Sequence, residues 1–585
     1  MLKRYVVSQR GGWRTCPDIT SALRAAERAR SARIEIMPGH YEEQLTVRGA
    51  VELVAVGEPG AVVVCPSQGT VLDASGSVVV RGLVLVGRDA DVVDLQAGTL
   101  TLDRVEVRAH GGVCLHARRN TAATLTDSRF QYGRTLFAGA HGTVERCRFA
   151  DAADNALAVI EGARVTVQDS SIDGSRIHGI RVSEAWAQLT RCEITGTEKA
   201  AVCGDTRAEL NVTDCAITAV HADALMFIEQ SRGSVLGTRV TDAEFGIAVT
   251  TGADPLVRGC VFAACRDSGI NVHSAGRGTF QDCEVIDAGV VSVFSTKGGA
   301  PRVTGGRISG GNVGIAVIEK ARGHFSDVDI QGLTNVALRV RDESRAVFEN
   351  IRVERCPAGL ETLGNAGTTA ELVDSGIHDF DMAAVAAGGQ SRITLKGVSA
   401  ERGLVGFGAV EESQLRVHDC EVRAVRMGGA LASGKATLLA RNLTVTGSEG
   451  VGLSGQDSAY VDVADSRFDG CDSAGVSVLG SGGGVLRDCS VTGTKGLAVL
   501  HNGLVELVSL RTSLRVVKRN TEPAAPPPPT TVINNFYGPV FHEAVHNAQL
   551  AWNNAEVVQQ QNNESRQQND ESPSQPQNDE DGAGT

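Results

Sequence analysis

One five-residue string recurs through the middle of this chain at a nearly fixed step. Thr190-Arg191-Cys192-Glu193-Ile194 is followed by Thr213-Asp214-Cys215-Ala216-Ile217, then Arg258-Gly259-Cys260-Val261-Phe262 and Gln281-Asp282-Cys283-Glu284-Val285. A degenerate copy, Gly237-Thr238-Arg239-Val240, lies between the second and third. The rung residue therefore falls at 192, 215, 238, 260 and 283, a step of about 22–23 residues. A fixed period of that size marks a stacked-coil array, because one copy is too short to bury its own apolar face.

The rung continues in both directions, through Leu83, Val105, Ser128, Cys147 and Ser170 on one side. On the other it runs through Gly306, Val328, Ile351, Ser375, Val398, Cys420, Leu443, Ser466, Cys489 and Val508. An apolar residue follows two positions later in nearly every copy, as in Ile194, Ile217, Phe262 and Val285. A second apolar string recurs as Gly179-Ile180-Arg181-Val182, Gly246-Ile247-Ala248-Val249, Gly269-Ile270-Asn271-Val272 and Gly314-Ile315-Ala316-Val317. Its alternation has the period of a strand, not of a helix. The expected fold is all-β: a right-handed parallel β-helix of roughly 20 coils, with three short strands per coil and a length of about 95 Å at the strand spacing. A leucine-rich repeat has a similar length, but its Leu/Asn template is absent. The 68 glycines and only 4% aromatics suit a narrow interior of Val, Ile, Leu and Ala with tight corners.

Residues 1–60 read as an N-terminal cap with the first coils. Asp18–Ser31 is expected to be a helix, capped by Asp18 or Thr20 and turning Ile19, Leu23 and Ala26 to one face. Such a helix hides the unpaired backbone of an end coil. The repeat domain spans 61–517. Residues 518–531 hold the Pro-rich linker, which cannot continue a sheet. Residues 532–558 form a short apolar, Asn-rich island, and the polar stretch 559–585 reads as disordered.

Seven of the 14 cysteines occupy the rung, at 147, 192, 215, 260, 283, 420 and 489. Spacings near 23 are not those of a zinc site, so these thiols read as small buried fillers and no metal or cofactor is expected. No export signal and no apolar run of bilayer length are visible, which together with the free thiols points to a cytoplasmic protein that is not membrane-bound. The net charge of −13 argues against a nucleic-acid groove.

The best candidate site is an acidic row after the second apolar string: Glu161, Glu184, Asp205 and Glu229. Stacked carboxylates bind Ca²⁺ or carbohydrate, or supply a general acid and base. They also sit where the chain leaves the sheet, where solvated charge keeps a turn wet, and that reading carries more weight. His178 and His273 lie four coils apart. The cluster His40-Tyr41-Glu42-Glu43 is chemically rich but reads as packing under the cap. In the island, Phe536, Tyr537, Gly538, Val540, Val545, Gln549, Leu550, Trp552 and Asn553 are the candidates for self-association, since apolar residues interleaved with amides fit β-stacked zippers.

The helix Ile19–Ala29 followed by Ile34–Glu43 resembles the start of pectin-methylesterase-type bacterial β-helices. The Gly-[Ile/Val]-x-Val and Asp-Cys-x-Ile strings resemble the repeats of pectate-lyase-like proteins, including actinobacterial ones fused to AAA ATPases. That likeness implies the fold, and it implies a polysaccharide-active enzyme or binder, or an ATPase partner module, as alternatives. The catalytic strings of those enzymes are missing; the nearest is Arg355-Cys356-Pro357-Ala358-Gly359-Leu360, which lacks a second arginine. Gly538-Pro539-Val540 and Gln549–Asn554 resemble bacterial amyloid signalling motifs related to the RHIM. That resemblance implies homotypic assembly, with the partner being this chain itself or a protein carrying a like motif. The expected function is thus a non-catalytic scaffold or recognition rod with a tethered assembly motif, and a polysaccharide is the alternative ligand.

Overall fold

Each copy of the repeat becomes one coil of three short strands. The computed structural model describes residues 2–12 and 14–519, and one compact unit runs Met1–Asn520. In a representative coil the strands are Leu157–Ile160, Arg164–Gln168 and Ser171–Ser175; the next coil repeats them as Ile180–Ser183, Trp186–Thr190 and Glu193–Thr197. Leu157 pairs with Ile180, Arg164 with Trp186 and Ser171 with Glu193, all in parallel. Repeated over about 21 turns, this winds the described residues into a parallel β-solenoid with three sheets. They are called here the first, second and third sheets, in the order of the strands just given.

Alternation decides what goes inside. In Arg164–Gln168 the burial alternates, with Val165 and Val167 inside and Arg164, Thr166 and Gln168 exposed. Rows of identical positions then stack along the core, as Phe130 on Phe149 at 5.1 Å and Phe325 on Phe348 at 5.2 Å between ring centres. Offset aromatic stacks of this kind add to the hydrophobic gain of burial.

The sharp corner between the second and third sheets is a single left-handed residue. Every rung from Leu83 to Cys489 follows a residue of positive φ, including Asp127 (49°), Arg191 (51°), Asn442 (53°) and Asp488 (51°). Asp, Asn and Gly dominate this column because they enter the left-handed region at least cost. The rung residue itself does more than fill space. Ser170 Oγ accepts the Cys147 backbone N–H at 3.0 Å and donates to the Gln168 carbonyl at 2.8 Å. Ser128, Ser375 and Ser466 do the same for the coils before them. The rung cysteines are 0–6% exposed, and the 14 cysteines are free thiols.

Two expectations need correction here. The last rung is Leu510, which pairs with Cys489, and not Val508, which is 56% exposed. Leu510 follows Cys489 by 21 residues, so the 19-residue step to Val508 stops two residues short, in the turn. The N-terminal helix spans only Ile19–Ala26. Asp18 caps it by accepting the Ser21 N–H at 2.7 Å, and the Glu43 carboxylate accepts the N–H groups of Ile19 (3.0 Å) and Thr20 (2.7 Å). Ile19, Ala22, Leu23 and Ala26 are buried against the first coil. Before the helix, Lys3–Val7 already pairs with Ala32–Ile36, a strand that the repeat pattern does not announce.

Candidate functional site

The turn from the first to the second sheet is built from left-handed residues, and it holds most of the predicted acidic row. Glu161 (φ 56°), Glu184 (48°), Thr206 (45°) and Glu229 (52°) occupy it on successive coils. Asp205 does not belong to the row: it ends the strand Val202–Asp205 and pairs in register with Ser183, one position before Glu184. The threonine at 206 takes the turn position instead, so four stacked carboxylates do not form.

Each of these acids is tied to a neighbour. Arg119 lies 3.6 Å from Glu161, and Arg207 lies 3.7 Å from Glu184. Thr206 Oγ1 donates to Glu229 at 2.8 Å, and the Glu229 N–H donates to Thr251 Oγ1 at 2.6 Å. Asp205 is buried and receives Arg181 Nε at 2.7 Å on the outward face of the first sheet. Among the described residues no three His, Cys, Asp or Glu side chains converge to hold a metal ion.

The other candidates also resolve into structural roles. Tyr41 is buried and its hydroxyl donates to the Met37 carbonyl at 2.8 Å, while Glu43 caps the helix. His178 has its imidazole pKa pushed down to about 4, chiefly by burial and then by the positive charges of Arg181 and Lys199. Burial pushes the Cys114 thiol up to about 12 and the Cys147 thiol to about 11, so neither is a thiolate nucleophile near neutrality. The self-association candidates Phe536, Tyr537, Gly538, Val540, Val545, Gln549, Leu550, Trp552 and Asn553 lie outside the described residues.

The repeat model for a right-handed beta helix region matches this chain over residues 92–219, 200–322, 246–398, 314–453 and 363–509. The chain belongs to the right-handed beta helix family. No curated protein matches this β-helix at a significant level. Its solved neighbours include a pectin methylesterase mutant in complex with a hexasaccharide, at 12% identity and TM-score 0.22 over 36% of this chain and 80% of that one. A GH87 α-1,3-glucanase catalytic unit from Streptomyces thermodiastaticus follows at 13% identity and TM-score 0.24, over 83% and 67%. The A-module of a mannuronan C-5 epimerase from Azotobacter vinelandii shares 12% identity at TM-score 0.16, over 86% and 95%. Likenesses this remote carry no argument about ligand or reaction.

The first sheet of the β-helix also carries charges outside the predicted acidic row. Arg339 and Arg341 both reach Glu361 on the next coil, Arg339 at 3.3 Å. Their sequence signal is a pair of charges alternating with apolar residues in Leu338-Arg339-Val340-Arg341, the first of them at the position that Arg181 holds in its own copy.

Proposed function

We propose that this β-helix is a non-catalytic recognition and assembly rod, in which the coils present a repeating surface and residues 532–558 join copies. The observation that carries the first half is the coil-to-coil pairing of its outward acids. Glu161, Glu184 and Asp205 each have an arginine as neighbour, so none of these three stands as an unpartnered acid or base. The second half rests on the sequence of the island, whose apolar and amide residues suit an intermolecular zipper. In this reading the chain works in a reducing cytoplasm with its thiols free.

The test compares the full chain with one truncated after residue 531. Sedimentation and thioflavin fluorescence are expected to show higher-order assembly for the full chain only, and a peptide of residues 532–558 is expected to form fibres. A soluble, thioflavin-negative peptide together with unchanged sedimentation on truncation would remove the assembly role. Turnover of a polysaccharide, lost on Glu161→Gln plus Glu184→Gln, would remove the non-catalytic one.

A further inference from the structure

The rung column brings four of its seven cysteines together as two pairs. Cys192 and Cys215 stand on adjacent coils, and so do Cys260 and Cys283, with Thr238 on the coil between the pairs. The strands that follow them fix this register: Glu193 pairs with Ala216 and Val261 with Glu284, both in parallel. Cys147, Cys420 and Cys489 have no cysteine on either neighbouring rung.

Within each pair the two sulfurs take equivalent places. The thiols of Cys192 and Cys215 donate to the carbonyls two residues before them, Thr190 at 3.5 Å and Thr213 at 3.4 Å. Those of Cys260 and Cys283 donate likewise to Arg258 and Gln281, both at 3.4 Å. Equivalent atoms on adjacent coils are separated by the strand spacing, which sets each pair of sulfurs about 4.8 Å apart along the solenoid axis.

That separation selects among the things two thiols can do. A disulfide needs sulfurs about 2.05 Å apart, so either pair would have to close by more than half its separation. A tetrahedral zinc site needs four ligands, and among the described residues no three ligating side chains converge. Two metal–thiolate bonds in line span about 4.6 Å, taking the zinc–sulfur length of about 2.3 Å as a guide. Thiolate is also the ligand type that selects copper(I).

We propose that Cys192–Cys215 and Cys260–Cys283 are two sites for a soft monovalent d10 cation such as copper(I), each ion held in line between two thiolates. Binding replaces two S–H bonds by two metal–sulfur bonds and releases two protons to solvent, with no change of oxidation state. The bound unit carries one negative charge into a dry interior, since the four sulfurs belong to residues only 1–6% exposed. A donor for that charge is already in place at one site, where the Cys192 N–H meets the Cys215 sulfur at 3.4 Å. The same burial keeps bulky chelators out and makes entry wait on local opening of the coil. Both sites are separate from the outer faces and from residues 532–558, so they stand or fall independently of the function proposed above.

The experiment incubates the reduced full chain with copper(I) under anaerobic conditions until uptake is constant. A copper(I) chelator then strips loosely held ion, and the metal left on the chain is counted. About two retained ions per chain are expected, with thiolate-to-copper absorption in the ultraviolet and a raised melting temperature. Cys215→Ser plus Cys283→Ser leaves one thiol in each pair and keeps the acceptor that serine supplies on other rungs, as at Ser170. This variant is expected to lose both ions and the melting shift, and Cys192→Ser plus Cys260→Ser is expected to match it. Cys147→Ser plus Cys420→Ser, which removes unpaired rung thiols, is expected to keep both ions. Zinc(II) supplied in the same way is expected to be stripped from the parent, because two ligands do not complete its shell. No copper retained by the parent, or equal retention in the paired and unpaired double variants, would overturn the proposal. So would zinc held by the parent and lost in Cys215→Ser plus Cys283→Ser.

Discussion

The Cys215 thiol lies 3.4 Å from the backbone nitrogen of Cys192, one coil before it, and accepts that N–H. Cys420 stands in the same relation to Val398. Where the next rung is serine, threonine or cysteine, its side chain can accept the amide of the rung before it, as Ser170 does for Cys147 and Thr238 for Cys215. Serine, threonine and cysteine recur on the rung because each is small enough to be buried and still carries an acceptor.

Ser170→Ala is expected to destabilise the coils around it by about 1–3 kcal/mol, since it leaves the Cys147 amide buried without its partner. Ser170→Cys is expected to cost less, because a thiol at this position still accepts, as it does in Cys215. Chemical denaturation of the two variants gives the ranking. Faster hydrogen exchange at the Cys147 amide in Ser170→Ala alone ties the loss to that bond.

The left-handed column gives a second prediction. Asn442 sits at φ 53° and its side-chain amide donates to Asp419 at 2.7 Å. Asn442→Val places a β-branched residue in that conformation, with an expected cost of about 1–2 kcal/mol or more. Asn442→Gly keeps the conformation and loses only an exposed hydrogen bond, so its melting temperature is expected to stay much closer to that of the parent. Equal melting of the two variants would show that the corner tolerates either backbone.

These two columns mark how far the fold was readable. The period was legible from Cys192 onward because a solenoid repeats its core, and alternation around Val165 or Val257 settles which residues face in. The Asp, Asn, Arg and Gly before each rung were visible too, but their shared backbone conformation emerges only once the corner is seen. Asp205 was misplaced because adjacent Asp205 and Thr206 differ by one position, and a one-residue offset decides whether a side chain ends a strand or sits in the turn. The paired thiols were hidden for another reason. Cys192 and Cys215 are separated by 23 residues, as are Cys260 and Cys283, and only the register makes them neighbours.

Acid is expected to loosen the outer corner. The guanidiniums of Arg146, Arg191 and Arg402 hydrogen-bond Asp127, Asp169 and Asp379 and hold their carboxyls below the usual carboxylate range. A lowered carboxyl pKa stabilises the fold above its unfolded value, near pH 4, and the gain is lost as pH falls through the folded value. The melting temperature is therefore expected to drop below about pH 4, and Arg191→Gln is expected to shrink that drop. Because these pairs are at the surface, salt should shrink it as well.

His178 acts in a separate window. Its pKa of about 4 in the fold lies below the ordinary imidazole value, so the unfolded chain takes up the proton first. Its contribution is complete above about pH 6.5 and is lost as pH falls from there through about 4, amounting to at most about 3 kcal/mol. The backbone N–H of His178 donates to Asn155 at 3.2 Å, and a substitution that keeps the backbone keeps that bond. His178→Gln is accordingly expected to flatten the stability profile between pH 6.5 and 4 while leaving the steeper carboxylate loss below it. Histidine-selective NMR supplies the direct check: a ring resonance titrating near pH 6.5 in the folded protein, and absent from His178→Gln, would place the imidazole in water and defeat the prediction.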